Sequence, residues 1–273
     1  MNLDREPSPA TTPTLHGVDF SGGKDPHLKI WVATLEPGRP ARLRRNVSHR
    51  DLIEQISTQA AASERTIWLI DSAFGLPQEM LEEQGVELRW EAMARWLAGF
   101  PEARDWRRAC RDRCRKEHRR ACDKIARTRL APANLRLFRQ TWHCIVSVLL
   151  PLWEKSDVAV MPFAGAEKTA QARAWVAEGC PSSLLQQRGW PHRGYKGPEP
   201  TCRVVREGLL ERLVREEKLA IEEAARRFAV EDTEGDALDA LLLLVSARRI
   251  GAGDPMAAVS GEPRAAVEGW VYV

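Results

Sequence analysis

Four aspartates of this 273-residue chain lie in or beside strongly apolar segments. Asp19 lies inside a stretch typical of a β-strand, and Asp71 ends a second apolar run. Asp236 and Asp239 are three residues apart, so they share one face of a predicted helix that continues as an almost uninterrupted leucine run. Burying a carboxylate costs several kcal/mol unless the group is paired or binds a cation.

Each of these acids also has an ordinary structural explanation. Asp19 could hydrogen-bond the Ser-Gly-Gly turn that follows it, and Asp71 could form a turn or a cap. Asp236 follows Thr233 with capping-box spacing, and the helix dipole favours an acid in the first turn. Asp239 lies deeper in the helix and lacks this explanation, which makes it the stronger functional candidate of the pair.

The arrangement of the acids carries more information than any one of them. An acid in the first strand, one at the end of a later strand and a pair on a late apolar helix can converge at one edge of a sheet. Such a cluster suits Mg²⁺ or Mn²⁺, which prefer oxygen ligands. One or two ions could activate water for phosphodiester cleavage, and we predict Asp19, Asp71, Asp239 and Asp236 as the catalytic acids.

The predicted secondary structure provides the frame for these acids. Three early strands joined by tight turns, followed by alternating helices and strands, predict an α/β fold with a mixed sheet flanked by helices. Strands are expected at 15–20, 28–35, 41–46, 66–70, 158–161 and 172–178, with a last strand or extended tail at 269–273. Helices are expected at 49–62 after the cap Ser48, within a helical insertion at about 77–155, and at 182–187, 203–215, 218–229 and 235–247.

The composition is that of a globular protein, with 44% hydrophobic residues, and no apolar run reaches the roughly 18 residues of a membrane span. Residues 1–14 are rich in proline and lack the apolar core of a secretory signal, so we predict a disordered tail before a single domain at 15–273. Six dispersed cysteines favour reduced thiols and a cytoplasmic protein without membrane association.

Positive charge is concentrated in the predicted insertion. The interval 104–139 contains fourteen Arg or Lys residues and four Asp or Glu residues, a local balance of +10 in a chain whose net charge is +3. This segment could attract a polyanion, or it could be a solvated helical face.

A second pattern in this interval resembles a metal site but fails on geometry. Cys110, Cys114, His118 and Cys122 recur every four residues. On one helix the outer two would lie about 18 Å apart, whereas zinc ligands lie about 2 Å from a common ion. We interpret these residues as a packing stripe of small side chains on an Arg-rich helix.

The acidic layout resembles that of RNase H-fold nucleases, among them the RuvC-type Holliday-junction resolvases, whose last helix also carries two acids three residues apart. The chain is more similar still to a family of unknown function whose members are predicted RNase H-like nucleases. The matching segments are Gly17-Val18-Asp19, Ile70-Asp71-Ser72-Ala73-Phe74-Gly75, Arg119-Arg120-Ala121-Cys122-Asp123, Pro132 to Thr141, Glu178-Gly179-Cys180-Pro181-Ser182, Arg193-Gly194-Tyr195-Lys196, Asp236-Ala237-Leu238-Asp239-Ala240 and Glu268 to Val273. They occur in the family's order and cover nearly the whole chain after the tail.

The resemblance implies an RNase H-like fold and a metal-dependent nuclease or phosphodiesterase that acts on nucleic acid or another phosphodiester. It implies that Asp19, Asp71 and Asp239 bind the metal, that Asp236 is a possible ligand, and that Glu178 is a fourth ligand or a group behind the ligands. It also implies a substrate-binding set, which comprises Arg120, Asp123, Arg136, Arg139, Gln140 and Lys196.

Two other classes of protein remain open from the sequence. Nucleotide-binding ATPases of the actin and sugar-kinase type share the fold and also begin with an aspartate before a glycine turn, but they need two copies of the fold. A non-catalytic binding module is the other alternative, and an unused carboxylate cluster argues against it because it only costs stability. The substrate, the number of ions and the oligomeric state are not determined by the sequence.

Overall fold

The computed structural model of the protein describes residues 12–23, 26–62, 64–113 and 117–273. In these residues a seven-stranded sheet has the order β3-β2-β1-β4-β6-β5, with β7 also paired to β6. The strands are β1 (Thr14–Asp19), β2 (Trp31–Leu35), β3 (Arg42–Arg44), β4 (Thr66–Asp71), β5 (Val158–Val160), β6 (Ala174–Gly179) and β7 (Val271–Tyr272).

The sheet is mixed, as the sequence predicts. The first three strands form an antiparallel meander, and β4, β5, β6 and β7 then run parallel to β1 or to one another. The carboxyl ends of β1, β4 and β6 therefore meet at one edge of the sheet. Loops and helix ends beyond this edge can place side chains from distant parts of the chain together.

Helices cover both faces of the sheet. They are α1 (His49–Ala61), α2 (Gln78–Gln84), α3 (Trp90–Ala98), α4 (Ala103–Arg113), α5 (Ala121–Ile125), α6 (Phe138–His143), α7 (Leu150–Trp153), α8 (Gly165–Gln171), α9 (Pro181–Gln187), α10 (Pro200–Arg215), α11 (Glu223–Glu231), α12 (Asp236–Ala252) and α13 (Ala265–Glu268). A π-helical segment, Cys144–Leu149, joins α6 to α7, and short 3₁₀ helices occur at Pro26–Leu28 and Ala257–Val259.

Two apolar cores follow from the two-residue period of the strands. Alternate residues such as Leu15, Ile67 and Leu69 pack on one face with α12, which is buried from Ala237 to Ala247. Val18 and Ile70 belong to the core on the other face. That second core is closed by α1 and by most of the helical stretch predicted at 77–155, so the stretch forms a layer of the fold rather than a separate lobe.

Helix α1 begins where the sequence predicts. The side chain of Ser48 accepts a hydrogen bond from the backbone N–H of Asp51, and the Asp51 carboxylate accepts one from the backbone N–H of Ser48. This reciprocal capping box satisfies two backbone donors at the start of the helix. Leu52, Ile56 and Ala60 form its buried stripe.

Several predicted boundaries differ from the structure. The second strand begins at Trp31 instead of residue 28, because Leu28 lies in a 3₁₀ turn and is 51% exposed. The helix predicted at 218–229 begins only at Glu223, because Ala220 is held extended by a 2.7 Å hydrogen bond from the backbone N–H of Ala41. Thr14, assigned to the tail, is the first residue of β1; residues 1–11 lie outside the described residues.

The cysteine stripe does not lie on one helix. Cys110 is in α4 and Cys122 is in α5, and residues 117–120 between them are not helical. Cys114 lies outside the described residues. The prediction of one continuous Arg-rich helix is therefore wrong, because the chain breaks there to bury Arg120.

No helix in the described parts of the chain has both the length and the hydrophobicity that a membrane crossing requires.

Candidate metal centre

Asp19 and Asp71 lie side by side at the carboxyl ends of two neighbouring parallel strands. They are register partners in the β1–β4 pair. Both belong to the α12 face of the sheet, since the residues two positions earlier, Gly17 and Leu69, contact α12 or its core. Asp239, in the first turns of α12, completes the group, and one carboxylate oxygen from each of the three aspartates lies within 4.8 Å of the others.

The close approach of α12 to β1 depends on a glycine. A Cβ atom at Gly17 would lie 2.1 Å from the backbone oxygen of Ala240 and 2.8 Å from Cβ of Leu243. Only a residue without a side chain allows the helix to lie this near the strand. The same contact brings Asp239, one residue before Ala240, to the end of β1.

The cluster brings several carboxylates together in a largely buried environment. Asp19 and Asp239 are buried, and neither the Asp19 nor the Asp71 carboxylate makes a hydrogen bond to another described residue. Burial, and then the neighbouring carboxylates of Asp236 and Asp239, hold the pKa of Asp19 well above its ordinary value. Burial and the charge of Asp239 likewise raise the pKa of Asp71 to about 8.

This charge pattern fits a divalent cation. Three oxygen donors converge, two of them without a hydrogen-bond partner in the described chain, and their repulsion is relieved when a cation binds. Among the described residues, this is also the one group of three or more His, Cys, Asp or Glu side chains with metal-binding spacing.

A lysine and a tyrosine flank the third ligand. The ammonium of Lys196 lies 2.7 Å from Oδ2 of Asp239 and 3.3 Å from Oδ1 of Asp236. The hydroxyl of Tyr195 donates a 2.9 Å hydrogen bond to Oδ1 of Asp239. Asp236, whose side chain is 21% exposed, thus lies at the outer margin of the cluster.

Glu178 is not brought into this cluster. It is the register partner of Ile70, whereas its neighbour Gly179 is the partner of Asp71, so Glu178 points to the opposite face of the sheet. There its carboxylate accepts hydrogen bonds from the guanidinium of Arg120 and a 2.9 Å bond from the backbone N–H of Phe74.

Arg120 and Asp123, predicted to bind substrate, are instead parts of a buried ionic network. Both are 2% exposed. All five N–H groups of the Arg120 guanidinium have acceptors, namely the Asp123 carboxylate, the Glu178 carboxylate and the backbone oxygen of Glu268. As placed, Arg120 has no donor left for a phosphate.

This network supports the loop that follows Asp71. Glu178 holds the backbone N–H of Phe74, and the buried carboxylate of Glu268 accepts from the backbone N–H groups of Gln78 and Ala121. Asp71 and the network residues Arg120, Asp123 and Glu178 line a common cavity of about 120 Å³.

The remaining predicted residues lie on or near α6. Arg136 and Arg139 are exposed. Gln140 is half-buried, and its side-chain N–H donates to the backbone oxygen of Asp71. Gly22, in the turn after β1, packs against the Arg139–Gln140 peptide, where a Cβ would lie 2.5 Å from the backbone. Gln140 thus contacts the backbone of Asp71 and not its carboxylate.

Sequence reasoning missed two residues of this site. Tyr195 precedes Lys196 in one of the segments that match the family, but nothing in the sequence indicated its hydrogen bond to Asp239. Arg206, which fixes the Tyr195–Gly197 backbone, lies in α10 and has no signal in the sequence.

Comparison of the chain with protein-family models, with curated proteins and with solved structures gave no match. The fold and the site are those of a mixed α/β protein with a three-carboxylate cluster at the carboxyl edge of its sheet.

Proposed function

We propose that the protein is a metal-dependent nuclease or phosphodiesterase with an RNase H-like fold. The observation that carries the proposal is the convergence of Asp19, Asp71 and Asp239, from two strands and a distant helix, on one point. An acid on the first strand, one on the parallel strand beside it and one on the last long helix is the layout on which the resemblance rests.

The properties of the three carboxylates support a metal-binding role over a structural one. In a structural role each would be expected to accept hydrogen bonds from caps or turns. Asp19 and Asp71 instead have carboxylates without hydrogen bonds to described residues, although Asp19 is 8% exposed. Such an arrangement of ionised carboxylates is costly, and a bound cation would compensate their charge.

The chain's own residues have separate parts in this proposal. Asp19, Asp71 and Asp239 would hold Mg²⁺ or Mn²⁺, and Tyr195 orients Asp239 by its hydrogen bond. When bound, such an ion lowers the pKa of a water ligand and neutralises charge on the scissile phosphate. Lys196, whose side chain is 48% exposed, is accessible to an incoming phosphate.

The substrate class we propose is nucleic acid or another phosphodiester. Two exposed arginines lie near Asp71: Arg136 just before α6 and Arg139 within it. The same helix contacts Asp71 through Gln140. Guanidinium groups bind phosphates by paired hydrogen bonds, so these two are the candidates for a backbone contact.

The test is cleavage of single-stranded and duplex DNA and RNA and of branched junctions, with Mn²⁺ or Mg²⁺ and with EDTA. Wild type is expected to cleave at least one substrate only with metal, and Asp19→Asn to lose at least 100-fold of that activity. Asp112→Asn, an exposed acid of α4, is the matched control and should keep it. Cleavage that survives EDTA or Asp19→Asn would overturn the assignment.

Binding can be tested without a substrate. Saturating Mn²⁺ at 100 times its Kd should stabilise wild type by about 2.7 kcal/mol, because only the folded protein has the site. Asp112→Asn should show the same thermal shift, and Asp19→Asn should show little. Equal shifts in all three proteins would mean that the ion binds elsewhere.

A further inference from the structure

Lys196 provides the acidic cluster with a cation that belongs to the chain. Its ammonium bridges Asp236 and Asp239, 3.3 Å and 2.7 Å from their nearest oxygens. Asp236 therefore faces a lysine at the margin of the cluster, while Asp19 and Asp71 have no such partner in the described parts of the chain.

The backbone that carries Lys196 is fixed independently of the acids. Arg206, only 2% exposed, donates to the backbone oxygens of Tyr195 at 2.7 Å and Gly197 at 3.0 Å, one on each side of Lys196. The backbone N–H of Gly197 also donates a 2.7 Å hydrogen bond to the oxygen of Thr233. Through its Nε–H, Arg206 also donates a 2.8 Å hydrogen bond to the backbone oxygen of Val230 in α11, so it ties this short loop to a neighbouring helix. The position of the lysine therefore depends on more than its attraction to carboxylates.

The stem of Lys196 is also packed. Gly235, with φ of +77°, precedes Asp236, and a Cβ there would lie 3.1 Å from Cγ of Lys196 and 3.1 Å from the Tyr195 ring. The residue before α12 must therefore be small, and its backbone conformation is one that glycine adopts easily. The lysine stem lies against the start of the helix that carries both acids.

Lys196 adds one positive charge to this environment, because its ammonium lies within ion-pair distance of both Asp236 and Asp239. The four carboxylates carry a charge of −4 when ionised, and Lys196 reduces it to −3. One divalent ion would bring the site to −1, whereas two would make it +1 and would compete with the ammonium for Asp236 and Asp239.

We propose that the centre binds a single divalent cation, at Asp19, Asp71 and Asp239, and that Lys196 occupies the place of a second one. The inference rests on the proposed metal-dependent function and adds to it the number of ions and the source of the second positive charge. The ammonium would then contact a non-bridging oxygen of the substrate phosphate, which makes Lys196 a catalytic residue.

The test is the stoichiometry of Mn²⁺ binding, measured by calorimetry and by the electron paramagnetic resonance of bound Mn²⁺. Wild type should bind one ion per chain. Lys196→Met keeps most of the stem but removes the charge, and it should bind a second ion. Lys196→Arg keeps the charge and should bind one, as should the control Lys155→Met, a lysine that follows α7 on the other face of the sheet.

The outcomes separate the two proposals. Two ions in wild type with metal-dependent cleavage would overturn the single-ion inference and leave the nuclease assignment intact. One ion in Lys196→Met with unchanged affinity would overturn the role of Lys196. No Mn²⁺ binding by wild type would overturn both. Circular dichroism of each variant checks that it folds, and the wild-type stoichiometry tests the single-ion claim without any variant.

Discussion

Asp71 and Glu178 lie on neighbouring parallel strands, one register position apart, and their carboxylates point to opposite faces of the sheet. Asp71 joins a cluster of acids beside α12, in which neither its carboxylate nor that of Asp19 has a hydrogen-bond partner among the described residues, whereas Glu178 is neutralised by Arg120. The edge of the sheet thus separates two kinds of acidic site. In the cluster beside α12, two carboxylates have no hydrogen-bond partner among the described residues, which suits a ligand. On the other face, the carboxylate of Glu178 is paired within the chain and supports the fold.

The stability of the metal-free protein should decrease as the pH rises from about 6.5 to about 8. At lower pH the lowered pKa values of His16 and His143 act in the opposite direction. The pKa of Asp71 is raised by burial and by Asp239 from 3.8 to about 8, and those of Asp19 and Asp239 are also raised. The folded state therefore binds more protons than the unfolded state across this interval, and deprotonation favours unfolding. Thermal unfolding in EDTA should show a falling Tm, with each kcal/mol equal to about 2–4 °C.

Two comparisons test the origin of this decrease of Tm with pH. Asp71→Asn should reduce the decrease, and Asp112→Asn should leave it unchanged. Saturating Mn²⁺ should also reduce it, because a cation stabilises the ionised form of the acids. A Tm that rises over the same pH interval in EDTA would contradict the electrostatic picture of the cluster.

Gly17→Ala should weaken both folding and metal binding. The added methyl would meet the backbone of α12 at 2.1 Å, so the helix that carries Asp239 must move away from the strand that carries Asp19. We expect a loss of about 1–3 kcal/mol, as for other overpacked cores, and a lower Mn²⁺ affinity. Urea unfolding and Mn²⁺ titration measure the two effects.

The matched control for this substitution is Gly208→Ala. Gly208 lies in α10, and a Cβ there meets nothing within 4 Å. The change should stabilise the protein by up to about 1 kcal/mol, since alanine is the better helix former, and leave Mn²⁺ binding unaltered. If Gly17→Ala behaved like Gly208→Ala, the close strand–helix contact would not determine the site.

Arg120→Met should destabilise the protein by about 3–5 kcal/mol, because it leaves the buried carboxylates of Glu178 and Asp123 without their partner. The double variant Arg120→Met with Glu178→Gln should recover part of the loss, since one uncompensated charge is removed. Denaturant unfolding of the three proteins gives the differences directly.

An exposed ion pair provides the comparison. Arg95 and Glu91 pair at 3.0 Å on the surface of α3, with side chains 57% and 31% exposed. Arg95→Met should cost no more than about 1 kcal/mol. A similarly small loss for Arg120→Met would mean that the buried network contributes little to the fold.

Tyr195→Phe should reduce Mn²⁺ affinity by about 10-fold with a small effect on stability. The hydroxyl donates to Asp239, and groups that orient a metal ligand typically contribute about 10–100-fold in affinity. Tyr272→Phe is the control, because its hydroxyl donates at 3.3 Å to the backbone oxygen of Pro255, away from the acids. Equal Mn²⁺ affinities in the two variants would exclude an orienting role for Tyr195.

Much of this fold could be predicted from local patterns. The apolar run of β4, the capping box of α1 and the leucine run of α12 each follow from interactions between residues close in the chain. The same is true of the candidate metal ligands. Asp19, Asp71 and Asp239 are conspicuous because a carboxylate inside an apolar segment is costly wherever that segment folds.

Pairing between distant residues was decided by the tertiary structure alone. Glu178, a predicted ligand, points away from the cluster because of the register of β6. Arg120, a predicted phosphate contact, donates all its hydrogen bonds to Asp123 and to two residues distant in the sequence, Glu178 and Glu268. Arg206, without any signal in the sequence, fixes the loop of Lys196. The physical reason is that an acid or an arginine has the same local preference whether its charge meets water, a metal ion or another side chain. Only the packing of strands and helices determines which of these it meets.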